Sequence, residues 1–185
     1  MKAAIVVLSD KGSRGEREDT SGPALQDFLT AREVEVTGLE ILPDDRALIV
    51  GRLLELSGDG SCDLVVTCGG TGVSPRDVTP EATREVIVTE LPGFGERMRA
   101  ASLEKSPHAI VSRALAGYRN GCLILNLPGS PRAALENREA VWAAVPHTVA
   151  KLRGDMTDCA PPPAGDYNFI VLAVRRIPAR HIFVP

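Results

Sequence analysis

No stretch of this chain approaches the roughly 20 consecutive apolar residues that a membrane-spanning helix needs. The N-terminal run Met1-Lys2-Ala3-Ala4-Ile5-Val6-Val7-Leu8 superficially resembles a secretory leader. Its apolar core lasts only a few residues and stops at Ser9-Asp10-Lys11, so it reads as a first strand. Cysteine is sparse and unpatterned: Cys62, Cys68, Cys122 and Cys159 show no Cys-x-x-Cys spacing. That argues against a disulfide frame and for reduced thiols in a cytoplasmic protein. His108, His147 and His181 lie far apart without zinc-site spacing, and His147 falls in an apolar helical context and reads as structural. A formal charge of −3 leaves no basic field for nucleic acid. The one dense cationic run, Arg175-Arg176 with Arg180, reads as a solvated tail. No internal repeat occurs.

The common nucleotide signatures are missing as well. A Walker A loop requires a lysine after its glycines, and no lysine occurs between Lys11 and Lys105. The Rossmann Gly-x-Gly-x-x-Gly pattern is also absent. What is present is a glycine-rich segment of another kind, Cys68-Gly69-Gly70-Thr71-Gly72-Val73-Ser74-Pro75-Arg76-Asp77-Val78-Thr79-Pro80-Glu81-Ala82. It follows the apolar run Leu64-Val65-Val66, a buried strand by its pattern. It leads into Thr79-Pro80-Glu81, where Thr79 suits a helix cap, Pro80 the first helical position and Glu81 the helix dipole. Glycines let backbone N–H groups turn toward an anion, and an aspartate beside them suits Mg²⁺.

At 185 residues, with 44% apolar and 24% charged content, the chain has the size and balance of one globular domain. Strand-like and helix-like segments alternate, which predicts an α/β layer fold. Strands are expected over residues 3–8, 34–42 and 63–67, with a polar loop over 9–20 and a helix over 21–30 burying Leu25, Phe28 and Leu29. Asp44 suits the cap of the next helix, which carries Leu48, Ile49, Leu53, Leu54 and Leu56 and closes at Gly58. Helices are expected over 79–89 and 94–104. Arg119-Asn120-Gly121 between the apolar runs 114–118 and 122–126 predicts an antiparallel hairpin. Leu127-Pro128-Gly129-Ser130-Pro131 opens a further helix, with Ser130 as cap, and Pro146 kinks or splits it. Residues 160–165 read as a Pro-rich loop, and 169–174 as a possible edge strand.

Four polar loops, Ser9-Asp10, Pro43-Asp44-Asp45, Gly69 through Asp77 and Pro128-Gly129-Ser130, all follow strands and precede helices. If those strands are parallel, the loops meet at one carboxyl edge, where open α/β sheets bind ligands. Taken singly, each is explained by a cap or a turn; together they place phosphate-binding amides and two aspartates side by side. No Ser/His/Asp set or base–nucleophile pair accompanies them. This suits phosphoryl or nucleotidyl transfer, in which the substrate brings the nucleophile.

The segment Gly69-Gly70-Thr71-Gly72-x-x-x-Arg76-Asp77-Val78-Thr79-Pro80-Glu81-Ala82 resembles the signature of the molybdopterin-binding domain of MogA and MoaB proteins, shared with gephyrin. Further motifs fall in that family's order: Ser9-Asp10 with Asp19-Thr20-Ser21-Gly22, Leu42-Pro43-Asp44-Asp45, Leu91-Pro92-Gly93-Phe94-Gly95-Glu96, Val111-Ser112-Arg113 and Asn126-Leu127-Pro128-Gly129-Ser130-Pro131. The likeness covers residues 3–153. It implies a three-layer α/β/α sandwich with a mostly parallel mixed sheet, in a molybdopterin-binding catalytic domain over residues 1–154. Residues 155–185 are then a C-terminal extension packing on, or trailing from, that domain.

The implied reaction is Mg²⁺-dependent transfer of AMP from ATP to the terminal phosphate of molybdopterin, in molybdenum cofactor synthesis. A homotrimer is implied, with hand-over to a MoeA-type metal insertion protein. The resemblance makes Asp44 and Asp77 the catalytic and metal-binding residues. It assigns phosphate or substrate binding to Ser9, Asp10, Gly69, Gly70, Thr71, Gly72, Pro128, Gly129 and Ser130. Glu96, Ser112 and Arg113 match positions near the pocket, with a surface ion pair for Arg113 and a solvated helix position for Glu96 as alternatives. Thr79 and Pro80 are helix-start residues rather than ligands. The alternatives in function are a MoaB-like paralogue and a non-enzymatic pterin carrier or scaffold of the same fold.

Overall fold

Strands β1 (Lys2–Leu8), β3 (Leu64–Cys68) and β6 (Cys122–Leu127) are apolar along almost their whole length. That is the pattern of strands covered on both faces. The computed structural model describes residues 1–157, and Met1–Asp155 form one compact unit. The described strands make a sheet in the order β2 (Glu35–Leu42), β1, β3, β6, β5 (Ala116–Arg119), β4 (Thr89–Glu90). The first four run parallel. β5 runs against β6 through the Asn120-Gly121 turn, and β4 pairs antiparallel with β5. Asn120 and Gly121 both take positive φ, 47° and 78°, as a tight hairpin turn of this type demands.

Alternation along the strands sends side chains to two helical layers. Ala3, Ile5 and Val7 face α2 (Ser21–Thr30), α5 (Pro92–Leu103), α6 (Pro131–Trp142) and α7 (Val145–Leu152), meeting Leu25, Leu29, Met98, Val141 and Val149. Ala4, Val6 and Leu8 face α3 (Arg46–Leu56) and α4 (Thr79–Val86), meeting Ile49, Leu53, Ala82 and Val86. The result is the expected three-layer α/β/α sandwich around a mostly parallel mixed sheet. A polar bridge ties α4 to the sheet: the buried Asn126 amide donates to Thr67 Oγ1 at 2.8 Å and Thr83 Oγ1 at 3.0 Å. No described helix is long and apolar enough to cross a membrane.

Several expectations are corrected. The loop after β1 begins with a short helix, α1 (Asp10–Ser13), because Ser9 Oγ accepts from the Gly12 amide at 3.0 Å. The cap of α3 is Asp45, not Asp44: Asp45 has extended backbone and its carboxylate accepts from Leu48 N at 3.0 Å. Thr79 lies inside α4 rather than capping it, and Val78 takes the cap position without a side-chain bond. That helix stops at Val86 because Ile87 turns extended and Val88 N donates to Tyr118 O at 2.8 Å, starting β4. Ser130 occupies the cap position of α6 but makes no capping bond. The expected break near Pro146 is present, between α6 and α7. The Pro-rich loop at 160–165, the edge strand at 169–174, the Arg175-Arg176/Arg180 run, Cys159 and His181 lie outside the described residues.

Candidate active site at the carboxyl edge of the sheet

The carboxyl ends of β1 and β3 adjoin, yet the chain leaves β1 for β2 at one edge of the sheet and leaves β3, through α4, for β4 at the opposite edge. This divergence opens a crevice of the kind that binds ligands in open α/β sheets. The glycine loop fills its floor. Gly69 has φ +124° and Gly70 φ +62°, so both use the left-handed region. A Cβ on Gly69 would stand 2.2 Å from Leu8 O, and one on Gly70 2.3 Å from Thr79 Oγ1. The loop is pinned from beneath, because the buried Thr79 hydroxyl donates to Gly69 O at 2.9 Å and Thr79 N to Gly70 O at 3.2 Å. Gly129 closes on it from β6, where a Cβ would lie 3.1 Å from Gly69 Cα.

Asp44 and Asp10 stitch the ends of β2 and β1 together. Asp10 N donates to Asp44 Oδ2 at 3.0 Å, and Asp44 N to Asp10 Oδ1 at 3.1 Å. Arg76 donates bidentately to Asp10 at 2.9 and 2.8 Å, and this hydrogen bonding holds the Asp10 carboxyl below its ordinary value. The other Asp44 oxygen, Oδ1, is buried and accepts no hydrogen bond from the protein. Burial, with the charges of Asp10 and Asp77 adding to it, pushes the Asp44 carboxyl above its ordinary value. Asp77 Oδ2 accepts from Ser74 N at 2.8 Å and would meet a Cβ on Gly72 at 2.9 Å.

Two cavities meet over this floor. One, of about 570 Å³, is walled by Thr71, Gly72, Ser112 and Pro128 together with Ser102, Lys105, Ser106, His108, Arg132 and Glu136. The second, of about 510 Å³, is walled by Ser9, Asp44 and Gly69 with Arg17, Glu18, Asp19 and Ser21. Gly70, Asp77, Gly129 and Ser130 border both. The four loops expected to converge therefore do converge. Three of the expected positions line neither cavity: Asp10 is spent on Arg76 and Asp44, Glu96 is exposed on α5, and Arg113 is bonded to Glu81 and to loop carbonyls. The Ser9 hydroxyl is engaged as a cap, although the residue lines the second cavity.

Sequence reading missed the cationic wall of the first cavity. Lys105 and Arg132 share Glu136, at 3.2 and 2.9 Å. The Arg132/Glu136 spacing of four signals a common helix face, but which face meets the cavity depends on how α5 and α6 pack. Cys68 is almost wholly buried at the wall of the second cavity. Its thiol donates to Pro128 O at 3.2 Å, and burial raises it to about 12.

Among the described residues no group of three or more His, Cys, Asp or Glu side chains is placed to hold a metal by itself. Asp44 and Asp77 nonetheless fit one ligand class. An unpaired buried carboxylate oxygen beside a second carboxylate suits a hard divalent cation that takes its remaining ligands from substrate phosphates and water, as Mg²⁺ does.

The chain is similar to known proteins over most of its length. Residues 4–147 match the family described as a probable molybdopterin binding domain. The chain is 46% identical over 153 residues to a molybdopterin adenylyltransferase of Helicobacter pylori strain J99, covering 82% of this chain and 87% of that protein. It is 41% identical over 175 residues to the molybdopterin adenylyltransferase of Escherichia coli K12, covering 87% and 90%. The molybdopterin biosynthesis enzyme MoaB of Thermus thermophilus superposes with a TM-score of 0.78 at 45% identity, covering 83% of this chain and 96% of that one. A glycine loop crossed by Thr79, two carboxylates above it and the breadth of these matches agree on one assignment: this chain belongs to the molybdopterin-binding-domain family of cofactor biosynthesis proteins.

Proposed function

We propose that the protein is a molybdopterin adenylyltransferase of molybdenum cofactor synthesis, joining the terminal phosphate of molybdopterin to the AMP of ATP. The observation that carries this reading is the junction of the two cavities at Gly70, Asp77, Gly129 and Ser130. Group transfer between two bound substrates needs two sites sharing one reaction point. An oxygen of the pterin phosphate bonds to the α-phosphorus of ATP, the bond from that phosphorus to the bridging oxygen breaks, and pyrophosphate leaves with the electron pair. A phosphate monoester is largely dianionic near pH 7, so no general base is required. The amides of the glycine loop and the uncommitted Ser130 hydroxyl bind phosphate oxygens, and Lys105 and Arg132 offset their charge. Asp44 and Asp77 hold Mg²⁺, which supplies neutralisation of the crowded phosphates and the leaving group.

The same reading places catalysis in residues 1–154, with 155–185 as an extension. It also takes the protein as a cytoplasmic homotrimer that delivers its product to a MoeA-type insertion protein. Purified protein mixed with molybdopterin, ATP and Mg²⁺ should release pyrophosphate only when the pterin is present. Asp77→Asn should keep the fold and ligand binding while turnover falls about 100-fold or more. Tight pterin binding without release would turn the reading into that of a carrier. Full activity of the Asp77 variant would remove the mechanism.

A further inference from the structure

The segment from Gly72 to Asp77 leaves the body of the protein. Val73, Ser74, Pro75 and Arg76 are exposed, and Val73 is 67% accessible. Such a loop would ordinarily fray, carrying Asp77 with it. Arg76 ties its middle to Asp10, and its two ends are tied by one residue from another part of the chain. Arg113, in the connection from the 3₁₀ turn at Pro107–Val111 to β5, donates through Nε to Gly72 O at 2.6 Å and through Nη2 to Asp77 O at 2.6 Å. Its backbone N–H donates to Thr71 O at 2.9 Å. Three carbonyls bracketing the loop thus end on Arg113. The third arm of the guanidinium, Nη1, is held by Glu81 on α4. The fork is therefore fixed in direction by a helix that packs on the sheet.

We infer that Arg113, oriented by Glu81, is the positioning residue that holds Asp77 at the junction of the two cavities. This rests on the reading of Asp77 as a metal-holding group. The planar guanidinium spreads its N–H donors in fixed directions, so it satisfies two separated carbonyls and a carboxylate together without adjusting. A lysine would keep the charge and the pairing with Glu81 but could not span Gly72 and Asp77 as a rigid fork. The neighbouring Ser112 walls the first cavity, so the clamp also ties that wall to the carboxylate.

The test uses Arg113→Ala and Arg113→Lys in the full chain, read in two ways. By hydrogen exchange, residues 72–77 should exchange at least about tenfold faster in Arg113→Ala, with β1 and β3 unchanged. By kinetics, kcat should fall about 10–100-fold, as when support of a ligand shell is lost. KM for ATP and for molybdopterin should stay within about twofold, and half-saturation by Mg²⁺ should rise about tenfold. Combination with Asp77→Asn should lose little more than Asp77→Asn alone. If Arg113→Ala does not fold, Arg113→Lys carries the same test with smaller effects. Unchanged exchange at 72–77, or kcat within twofold of the parent, overturns the inference. A parent protein without pterin-dependent pyrophosphate release would refute the proposed function instead, and the exchange measurement would still decide whether Arg113 holds the loop.

Discussion

Replacing Asp44 by Asn should make the protein more stable and nearly inactive. The isosteric amide keeps an oxygen to accept from Asp10 N, so the stitch between β1 and β2 survives. What disappears is a partly buried negative charge with one unpaired oxygen, facing the charges of Asp10 and Asp77. The amide still leaves one polar atom unpaired, so the gain is only the relief of the desolvated charge and its repulsion by Asp10 and Asp77, about 1–3 kcal/mol. Asp44 retains some contact with solvent, which screens its charge, so the lower end, about 1 kcal/mol, applies. For a domain of this size that is about 2–4 °C in Tm.

The pH dependence distinguishes this cause from ordinary repacking. The folded-state carboxyl titrates above its unfolded value of 3.8, so the ionised side chain works against folding at neutral pH. Below 3.8 it is protonated in both states and the penalty vanishes. The advantage of the Asn variant should therefore be full at pH 7.5, shrink as pH falls through the raised folded value, and be gone near pH 3.8. Thermal melts of both proteins at pH 7.5 and at pH 4, beside pyrophosphate release at pH 7.5, measure this. A variant less stable at pH 7.5, or one whose gain is equal at both pH values, would refute the reasoning.

Other outcomes follow from the same geometry. Gly70→Ala forces a side chain onto φ +62° and within 2.3 Å of Thr79 Oγ1 and 3.1 Å of Asp44 Oδ1, so it should cost about 1–3 kcal/mol and displace the carboxylate. Urea melts and pyrophosphate release would show both losses together; a stable, active Ala variant would show that the loop is not braced as described. Cys68, pushed up to about 12 by burial, should resist iodoacetamide at pH 8 in the folded protein and react once the chain is denatured. Modification at the rate of an exposed thiol would contradict its placement.

Much of this architecture was legible because the relevant signals are local. The apolar runs at Leu64-Val65-Val66 and Cys122 to Leu125 announce strands, and Asn120-Gly121 names its own turn. What escaped depends on choices between neighbours. Ile87, Val88 and Thr89 continue a helical register on paper, but β-branched residues beside the open edge of β5 pair with it instead. Ser9 folds a polar loop into a turn of helix through one side-chain bond. The convergence of the four loops was legible because parallel strands leave no other place for them. The cationic wall was not, since Lys105 meets Glu136 across more than thirty residues of chain. Glu96 shows the converse: a motif position quoted in family order lies exposed on α5, outside both cavities.

The pair Asp44 and Asp45 shows how one short segment can cap a helix and still leave a carboxylate oxygen uncommitted. Either residue would cap α3 acceptably, since both are aspartates after a strand and before the same apolar helix. Capping would consume the carboxylate of whichever one did it. With Asp45 taking the Leu48 amide, Asp44 is left with one oxygen bound and one bare, a state that no stability argument recommends. The same inversion recurs around it. Gly69 and Gly70 accept backbone conformations closed to most residues, and Asp77 rides an exposed loop tied at its ends by Arg113. Each departs from what would best stabilise the chain, and all lie around one crevice. Local stability is surrendered around that one crevice, and this concentration, more than any single motif, marks it as the candidate site.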